Sequence, residues 1–372
     1  MEIVPFSEIG RDRWDAFCAA SREAWFRHRS AWIEYTVAMR QPGSSEDLSF
    51  GVIDGGRLVA AAPLIREAVH GRPDLSEFGF AGWNVPFPAL ADGLGAAHSD
   101  KIRKEIFREI DRLAQQHGIA YASFEVNPLS TLGTRDACSA NPLPFFGYSA
   151  TEIATHVIDL SPDEETLLRN MRKGHKSDIS SARNSGWTAS VLDRTNVTDR
   201  SFEVYRLIHL HAAGRQTRPE RTWQLMRQWL ADGFAVLGLV RKAGGEPVAA
   251  ALSITDKDGA YYGSSCVEPE MEQERGIMHL LLWETMRSLK ATGARWFETG
   301  WQLTPTISQE VPSRKEVNIS LFKRGFGGIH VPYFRGERFY RDDYLREAYT
   351  GRALAYQREW MGRGPQEGGQ EP

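Results

Sequence analysis

Apolar residues recur every three or four positions along several stretches of the chain, a spacing that predicts amphipathic helices. Residues 11–39 and 99–117 both show this spacing, and Gly118 provides a helix stop directly after the second stretch. The same pattern predicts helices at four more places: residues 199–214, 219–232, 276–292 and 345–360.

Runs of β-branched and aromatic residues bounded by turn residues predict the strands. Residues 50–53 and 58–65 flank Asp54-Gly55-Gly56, which predicts a β-hairpin. Residues 80–90 combine glycine, proline and aromatic side chains, and they predict an apolar loop that either lines a cleft or packs on the core. The remaining predicted strands are 119–126, 155–160, 187–192, 295–299 and a meander of 234–241, 247–255 and 260–267.

The two halves of the chain share one plan of helix, strand, turn, strand, loop, helix and strand. Gly-Gly-Arg-Leu-Val-Ala-Ala-Ala at 55 and Gly-Gly-Glu-Pro-Val-Ala-Ala-Ala at 244 occupy the same place in it, which indicates a structural duplication. Strands and helices mixed with hairpins predict an α+β fold, with mixed sheets flanked by helices. We expect lobes at 1–150 and 151–345, followed by a helix and a disordered tail at 346–372.

Composition predicts a soluble globular protein, because 41% of the residues are hydrophobic and 25% are charged. A net charge of −3 gives no general attraction to nucleic acid, so any polyanion site must be a local patch. The cysteines Cys18, Cys138 and Cys266 form no CxxC pair, which predicts neither a zinc site nor a disulfide framework. The sequence shows neither a signal-peptide pattern nor a membrane-spanning apolar run, which predicts a cytoplasmic protein. From the cysteine spacing and the net charge we expect neither a metal nor DNA as a partner.

A charged segment at 161–187 is the most distinctive local feature. Ser161 suits a helix cap and Pro162 suits the first helical position, while Gly174 predicts a break. The first part of the segment is acidic and the later part is basic. The basic part is either a phosphate-binding surface or an ordinary solvated one. The candidate phosphate-binding residues are Arg172, Lys173, Lys176 and Arg183, together with the distant Lys323.

Three stretches carry a resemblance to known proteins. They are the basic residues 171–187, the region 247–300, and Asn-Ile-Ser-Leu-Phe-Lys-Arg-Gly-Phe-Gly-Gly at 318–328. Together they resemble the GNAT acyltransferase fold and, more narrowly, the FemAB-like family of tandem GNAT-like transferases. The third stretch is close to the Phe-Lys-x-x-Phe-Gly-Gly motif found near the end of that family's fold. The resemblance covers residues 151–335 well, whereas only the plan of elements matches before residue 150. It implies two tandem GNAT-like lobes.

Members of that family transfer an acyl group, often an aminoacyl group, to an amine. Several build peptide bridges in peptidoglycan precursors from aminoacyl-tRNA, and others are linked to exopolysaccharide or cell-envelope synthesis. The resemblance therefore implies an N-acyltransferase whose donor is acyl-CoA or aminoacyl-tRNA. The implied acceptor is a small-molecule or lipid-linked amine, tRNA is a possible partner, and the oligomeric state stays open.

One loop departs from the pattern of the GNAT enzymes that use coenzyme A. Those enzymes hold the pyrophosphate with a Gln/Arg-x-x-Gly-x-Gly/Ala loop at a helix start. Here Gln273, Arg275 and Gly276 stand at the corresponding place, but Met278 replaces the second small residue. The acids Glu270, Glu272 and Glu274 lie close to this loop and would repel pyrophosphate. This repulsion favours the aminoacyl-tRNA interpretation.

Acyl transfer to an amine requires a proton acceptor and donors for the oxyanion. Glu298 is the candidate that orients or deprotonates the amine, with Tyr262 as a proton donor and His279 as a further catalytic candidate. Each has an ordinary alternative. Glu298 could pair with Arg295, Tyr262 could be packed in its strand, and His279 could pack between helices.

The sequence thus predicts transfer of an acyl or aminoacyl group to an amine, on a cell-envelope or polysaccharide precursor. One alternative is an acetyl-CoA-dependent N-acetyltransferase of a sugar or polyamine. Another is a scaffold without catalysis that binds a nucleotide sugar or lipid phosphate. Donor, acceptor, catalytic base and pathway are not determined by the sequence.

Overall fold

The computed structural model describes residues 1–41, 43–132 and 140–362 of the 372. These residues form two compact units. The first unit comprises residues 1–154, 303–314 and 331–362, and the second comprises residues 155–302 and 315–330. Cys138 and the predicted disordered tail beyond residue 362 lie outside the described residues.

Residues 1–150 alternate short strands with helices. The strands are β1 (Glu2–Pro5), β2 (Ser45–Asp47), β3 (Phe50–Asp54), β4 (Arg57–Ala62), β5 (Ile65–Val69), β6 (Arg72–Gly79), β7 (Val85–Pro86), β8 (Ala89–Leu90), β9 (Ile119–Glu125) and β10 (Ser149–Ala150). The helices are α1 (Phe6–Ile9), α2 (Arg11–Ala20), α3 (Ser30–Ala38) and α4 (Ala96–Gln116).

The rest of the chain continues in the same style. The strands are β11 (Ile153–Asp159), β12 (Trp187–Leu192), β13 (Ala235–Lys242), β14 (Ala249–Asp256), β15 (Gly259–Val267), β16 (Trp296–Gln302), β17 (Ile329–Tyr333) and β18 (Arg335–Phe339). The helices are α5 (Glu164–Asn170), α6 (Lys173–Asn184), α7 (Asp199–Ala213), α8 (Glu220–Ala231), α9 (Ile277–Ala291), α10 (Arg314–Arg324) and α11 (Asp342–Tyr356). None of the helices described here is long and apolar enough to cross a membrane.

The strands of the first unit form two sheets. One has the order β1-β3-β4-β8, and the other has the order β10-β18-β9-β6-β5-β2, with β7 also paired to β9. Because β18 pairs antiparallel with β9, the end of the chain returns to the first unit. Residues 331–345 therefore belong to the first unit, whereas the sequence placed them in the second lobe.

The second unit is built on the sheet β12-β13-β14-β15-β16-β11-β17, whose core is covered by α9. Leu281, Trp283 and Met286 of α9 are almost completely buried against Val240 and Phe297 of the strands. Each such side chain contributes about 1.5–3 kcal/mol through burial of apolar surface. The predicted α+β fold is confirmed, and the meander and the helices α7 to α9 lie within three residues of their predicted places.

One prediction from local pattern was wrong, and one pair of alternatives left open by the sequence is resolved. The single helix predicted over residues 11–39 is α2 and α3, separated by a 3₁₀ turn at Phe26–His28. The predicted loop at residues 80–90 contains β7 and β8, and Phe80, Phe87 and Leu90 are buried. This segment therefore packs on the core of the first unit, which is the alternative considered from the sequence.

The charged segment begins and breaks at other residues than the sequence predicted. Asp163 caps α5, since its carboxylate accepts a 2.7 Å hydrogen bond from the N–H of Thr166. The break between α5 and α6 falls at Met171 and Arg172, and Gly174 lies inside α6. The N–H of Arg172 donates to the carbonyl oxygen of Gly325 at 2.9 Å, so a contact from a distant part of the chain accompanies the break.

Candidate active site

The sheet of the second unit opens between two parallel strands. β15 and β16 are paired over only three residue pairs, the last of which joins Tyr261 and Glu298. Both strands continue beyond this point, to Val267 and Gln302, with β15 remaining on β14 and β16 remaining beside β11. Beyond this point the two strands no longer pair with each other. On the β16 side, the N–H of Gly300 bonds Glu298, and the carbonyl oxygens of Gly300 and Trp301 accept hydrogen bonds from the hydroxyls of Thr155 and Ser320.

A β-bulge in β15 lies beside this opening. Leu252 of β14 stands opposite Ser264, whereas the next residue, Ser253, stands opposite Tyr262. Gly263 is therefore the extra residue of the bulge. A Cβ atom at Gly263 would lie 2.9 Å from the carbonyl oxygen of Leu252, so the close approach of the two strands requires glycine. Bulges of this kind bend a strand, in keeping with the divergence of β15 from β16.

Glu298 is buried at the point where the β15–β16 ladder ends, with 6% of its surface exposed. Its Oε1 atom accepts a hydrogen bond from the hydroxyl of Thr155 in β11 and a 3.0 Å hydrogen bond from the N–H of Gly300. These donors fix the orientation of the carboxyl group. Arg295, the ordinary partner considered for Glu298, lies with its guanidinium 4.8 Å from the ring centroid of Trp296.

Lys323 of α10 and Tyr262 of β15 meet beside Glu298. The Lys323 Nζ atom lies 5.1 Å from the ring centroid of Tyr262. Gly300 has a φ of +100°, and a Cβ atom there would lie 2.6 Å from the same Nζ atom. Burial lowers the pKa of Lys323, an effect that the negative charge of Glu298 opposes. Burial raises the pKa of Tyr262 to about 12, so its hydroxyl keeps its proton at neutral pH.

His279 contacts the helices around α9. Its ring centroid lies 4.4 Å from that of His175, and its Nε2 atom lies 3.5 Å from Oδ2 of Asp178. Burial and the neighbouring His175 lower the pKa of His279 to about 4. Phe322 and Phe326 complete its surroundings. These are the contacts of a packing histidine, and a catalytic role for His279 stays a prediction.

The loop that could hold a cofactor pyrophosphate lies directly before α9. Gln273 is exposed, whereas Arg275 donates a 2.5 Å hydrogen bond from Nε to Oδ1 of Asp178 in α6. Gly276 has a φ of +87°, and a Cβ atom there would clash with the backbone oxygen of Asp178. Helix α6 thus packs tightly against the start of α9, and binding of a cofactor by these loop residues stays a prediction.

The basic residues of α6 separate into two places. Arg172 and Lys173 are exposed at its start and Lys176 is half-buried, whereas Arg183 at its other end donates a 2.6 Å hydrogen bond to Glu284. With about 1.5 Å of rise per residue, the two places lie about 16 Å apart. Arg183 is therefore part of a separate ion pair.

The start of α6 meets the end of α10, which carries Lys323. His175 Nε2 lies 2.8 Å from the carbonyl oxygen of Phe322, and the N–H of Arg172 donates to the carbonyl oxygen of Gly325. These two contacts bring Arg172 and Lys173 to the helix end that holds Lys323. A shared phosphate-binding role for these residues stays a prediction.

Residues 169–305 match the family model described as "Acetyltransferase (GNAT) domain", a range that includes both edges of the opening. The match identifies the GNAT fold in this part of the chain. The solved structure of FemX has a TM-score of 0.62 and 14% identity, covering 90% of this chain and 97% of that one. L-PGS from Bacillus licheniformis has a TM-score of 0.57 and 12% identity, covering 96% and 98%.

A third similar structure is the C-terminal domain of a proposed lysylphosphatidylglycerol synthetase from Agrobacterium fabrum. It has a TM-score of 0.55 and 15% identity, covering 93% of this chain and 95% of that one. These structures show that the chain has a FemAB-like tandem GNAT fold. Comparison with curated proteins found no significant match.

The first unit has no comparable opening among its described strands. Its parallel strands β6 and β9 pair as far as Phe78 with Ala122, and β7 then takes the place beside β9, with Val85 opposite Phe124. The next residue of β9, Glu125, is completely buried and paired with Arg27. The candidate active site therefore lies in the GNAT domain of the second unit.

Two residues of the second unit were not identified from the sequence. Thr155 binds Glu298, and Asp178 binds Arg275, yet each pair is separated by about a hundred residues or more. No local pattern marks them. Gly300 did carry a signal, because a glycine that follows a strand residue of interest often marks a close approach of another group.

Proposed function

We propose that the chain is an N-acyltransferase that transfers an acyl or aminoacyl group to an amine of a cell-envelope or polysaccharide precursor. The observation that supports this proposal is the opening between β15 and β16, with Glu298 and Lys323 beside the end of the ladder. An opening of this kind gives an extended donor a place to lie beside the end of the β15–β16 ladder. The buried charged groups supply the chemistry at its base.

In the proposed reaction the neutral amine attacks the carbonyl carbon of a thioester or ester. A C–N bond forms, the C–S or C–O bond breaks, and Glu298 accepts the proton that the amine loses. The ammonium group of Lys323 and the strand N–H groups stabilise the oxyanion of the tetrahedral intermediate. Tyr262 retains its proton at neutral pH and can donate it to the leaving group. The proton that Glu298 accepted then passes to Tyr262, which restores both residues to their starting states.

Arg172, Lys173 and Lys176 are the proposed phosphate-binding residues of the donor site. The first turn of α6 contains no acid and carries lysines, whose charge opposes the helix dipole. A phosphate group there would be attracted by both the lysines and the helix N–H groups. Lys323 lies at the neighbouring end of α10 and would face the reacting end of the donor.

The donor is proposed to be an aminoacyl-tRNA, as in several FemAB-like proteins. Packing of α6 against Gly276 and the exposed acids before α9 disfavour a pyrophosphate at that loop. The match to an acetyltransferase family model favours the second candidate, an acetyl-CoA-dependent N-acetyltransferase. Gln273, Arg275 and Gly276 would then bind the cofactor.

Thermal unfolding with each donor separately discriminates between the two. A ligand at a hundred times its dissociation constant adds about 2.7 kcal/mol of stability. A shift with charged tRNA alone supports aminoacyl transfer, whereas a shift with acetyl-CoA or coenzyme A supports the second candidate. Binding without any turnover would instead indicate a scaffold.

Replacement of Glu298 tests the chemistry itself. We expect Glu298→Gln to lower the rate of acyl transfer by about 10²–10⁴-fold, because the amide cannot accept the proton. Radiolabelled donor and amine-bearing envelope precursors would provide the assay. Glu284→Gln, which alters a half-buried carboxylate paired with Arg183, is the matched control and should leave the rate unchanged. An unchanged rate in Glu298→Gln would exclude the proposed role.

A further inference from the structure

The hydroxyl of Thr155 bridges two acceptors beside the candidate base. Thr155 is completely buried in β11, and its Oγ1 atom lies within hydrogen-bond distance of Glu298 Oε1 and 3.0 Å from the carbonyl oxygen of Gly300. A hydroxyl has a single proton to donate but can also accept hydrogen bonds. It can therefore donate to only one of the two oxygens at a time.

This arrangement suits both protonation states of Glu298. While Glu298 is ionised, the Thr155 hydroxyl donates to its carboxylate. When Glu298 carries a proton, the new O–H can donate to Thr155 Oγ1, whose own proton then turns to the carbonyl oxygen of Gly300. Both states use the same pair of atoms, Thr155 Oγ1 and Glu298 Oε1. A residue that only filled space at this position would not need a hydroxyl.

Other charged or titratable groups face Glu298 from the neighbouring elements. Lys323 of α10 carries the opposite charge and favours the ionised carboxylate. Tyr261 of β15 stands opposite Glu298 in the strand pairing, and the ring centroid of Tyr262 lies 5.1 Å from the Nζ atom of Lys323. The N–H of Gly300 donates to Glu298 in either state. Among these groups, Thr155 is the one that can reverse its hydrogen bond to the carboxyl group.

We propose that Thr155 is a positioning residue that keeps Glu298 hydrogen-bonded in both of its protonation states, so that the carboxyl group takes up and releases a proton without rearrangement. The inference rests on the proposed function, in which Glu298 is the base. Loss of the hydroxyl removes a donor to the carboxylate and should raise the pKa of Glu298. It should also release the carboxyl group from its fixed orientation.

The test uses Thr155→Val, which keeps the shape, and Thr155→Ser, which keeps the hydroxyl. The first readout is the pH titration of the Glu298 carboxyl carbon by NMR, in protein labelled with ¹³C-glutamate and assigned with Glu298→Gln. This measurement requires no substrate. We expect the valine variant to titrate about one pH unit or more higher, and the serine variant to titrate like the unmodified protein. Thr155→Ala replaces the valine variant if the latter does not fold.

The second readout is acyl transfer as a function of pH. We expect Thr155→Val to lower kcat by about tenfold or more, with KM within about twofold, and to move the acidic limb of the pH profile together with the NMR titration. An unchanged titration in the valine or alanine variant overturns the inference, as does a serine variant that behaves like valine. A shifted titration in a chain that transfers no acyl group supports the hydrogen-bond switch and refutes the proposed function.

Discussion

Two glutamates of the first unit face each other across neighbouring strands, and one of them provides a direct test of the fold. Glu77 in β6 stands directly opposite Glu67 in β5. Glu67 accepts a 2.7 Å hydrogen bond from Arg40 and a further hydrogen bond from the N–H of Ala81. Burial, and then the charge of Glu67, raise the pKa of Glu77 to about 8, although Arg40 opposes this.

The sign of the pH dependence follows from this raised pKa. The folded protein holds the Glu77 proton more tightly than the unfolded chain, whose carboxyl has an ordinary pKa of 4.5. Glu77 therefore imposes no cost at low pH, and it destabilises the fold increasingly as the pH rises from about 4.5 to about 8. At about 1.36 kcal/mol per pH unit, the cost reaches at most about 5 kcal/mol above pH 8.

Replacement by an uncharged residue should remove this cost. We expect Glu77→Gln to match the unmodified protein near pH 5 and to be more stable near pH 9, by up to about 5 kcal/mol. Urea unfolding followed by tryptophan fluorescence at several pH values provides the measurement. Glu67→Gln is the matched control, and near pH 5 it should destabilise, unlike Glu77→Gln, because it breaks the ion pair with Arg40. Parallel stability curves for Glu77→Gln and the unmodified protein would refute the reasoning.

Two further predictions concern the candidate active site. Gly300→Ala should displace the amine of Lys323 and strain the backbone by about 1–2 kcal/mol, lowering both the thermal midpoint and the rate of acyl transfer. Replacement of both Lys173 and Lys176 by alanine should weaken binding of charged tRNA and reduce its logarithmic salt dependence by about 1.4. Arg183→Ala, which breaks an ion pair with Glu284, should leave that binding unchanged.

Elements with strong periodicity could be predicted from the sequence, whereas elements held by distant partners could not. Helix α4 and strand β9 were recognised because apolar side chains repeat at the spacing that burial on one face requires. Strands β5 and β6 were missed. Each contains a glutamate at a paired position, and the pairing of Glu67 with Arg40 becomes visible only in the fold.

The candidate active site also combines residues that could be predicted from local sequence with residues that depend on distant partners. Glu298 could be identified as a candidate because its strand follows a long helix, and Tyr262 because it lies in the third strand of the meander. The approach of Lys323 to Tyr262 could not be predicted from the sequence, since Lys323 belongs to a later helix. Thr155 was not identified because its role depends on β11 lying next to β16 in the sheet, and no local sequence pattern predicts that arrangement.

The two units share one order of elements but differ where their parallel strands stop pairing. This difference affects where a reaction site can form. In the first unit, β7 fills the place beside β9, and the charges of Arg27 and Glu125 satisfy each other in the interior. In the second unit, the β15–β16 ladder ends and Lys323 is partly desolvated beside the opening. A desolvated amine destabilises a fold, and apolar side chains would pack there at lower cost. A lysine amine kept at this place is therefore expected of a reaction site and not of a site that serves packing alone.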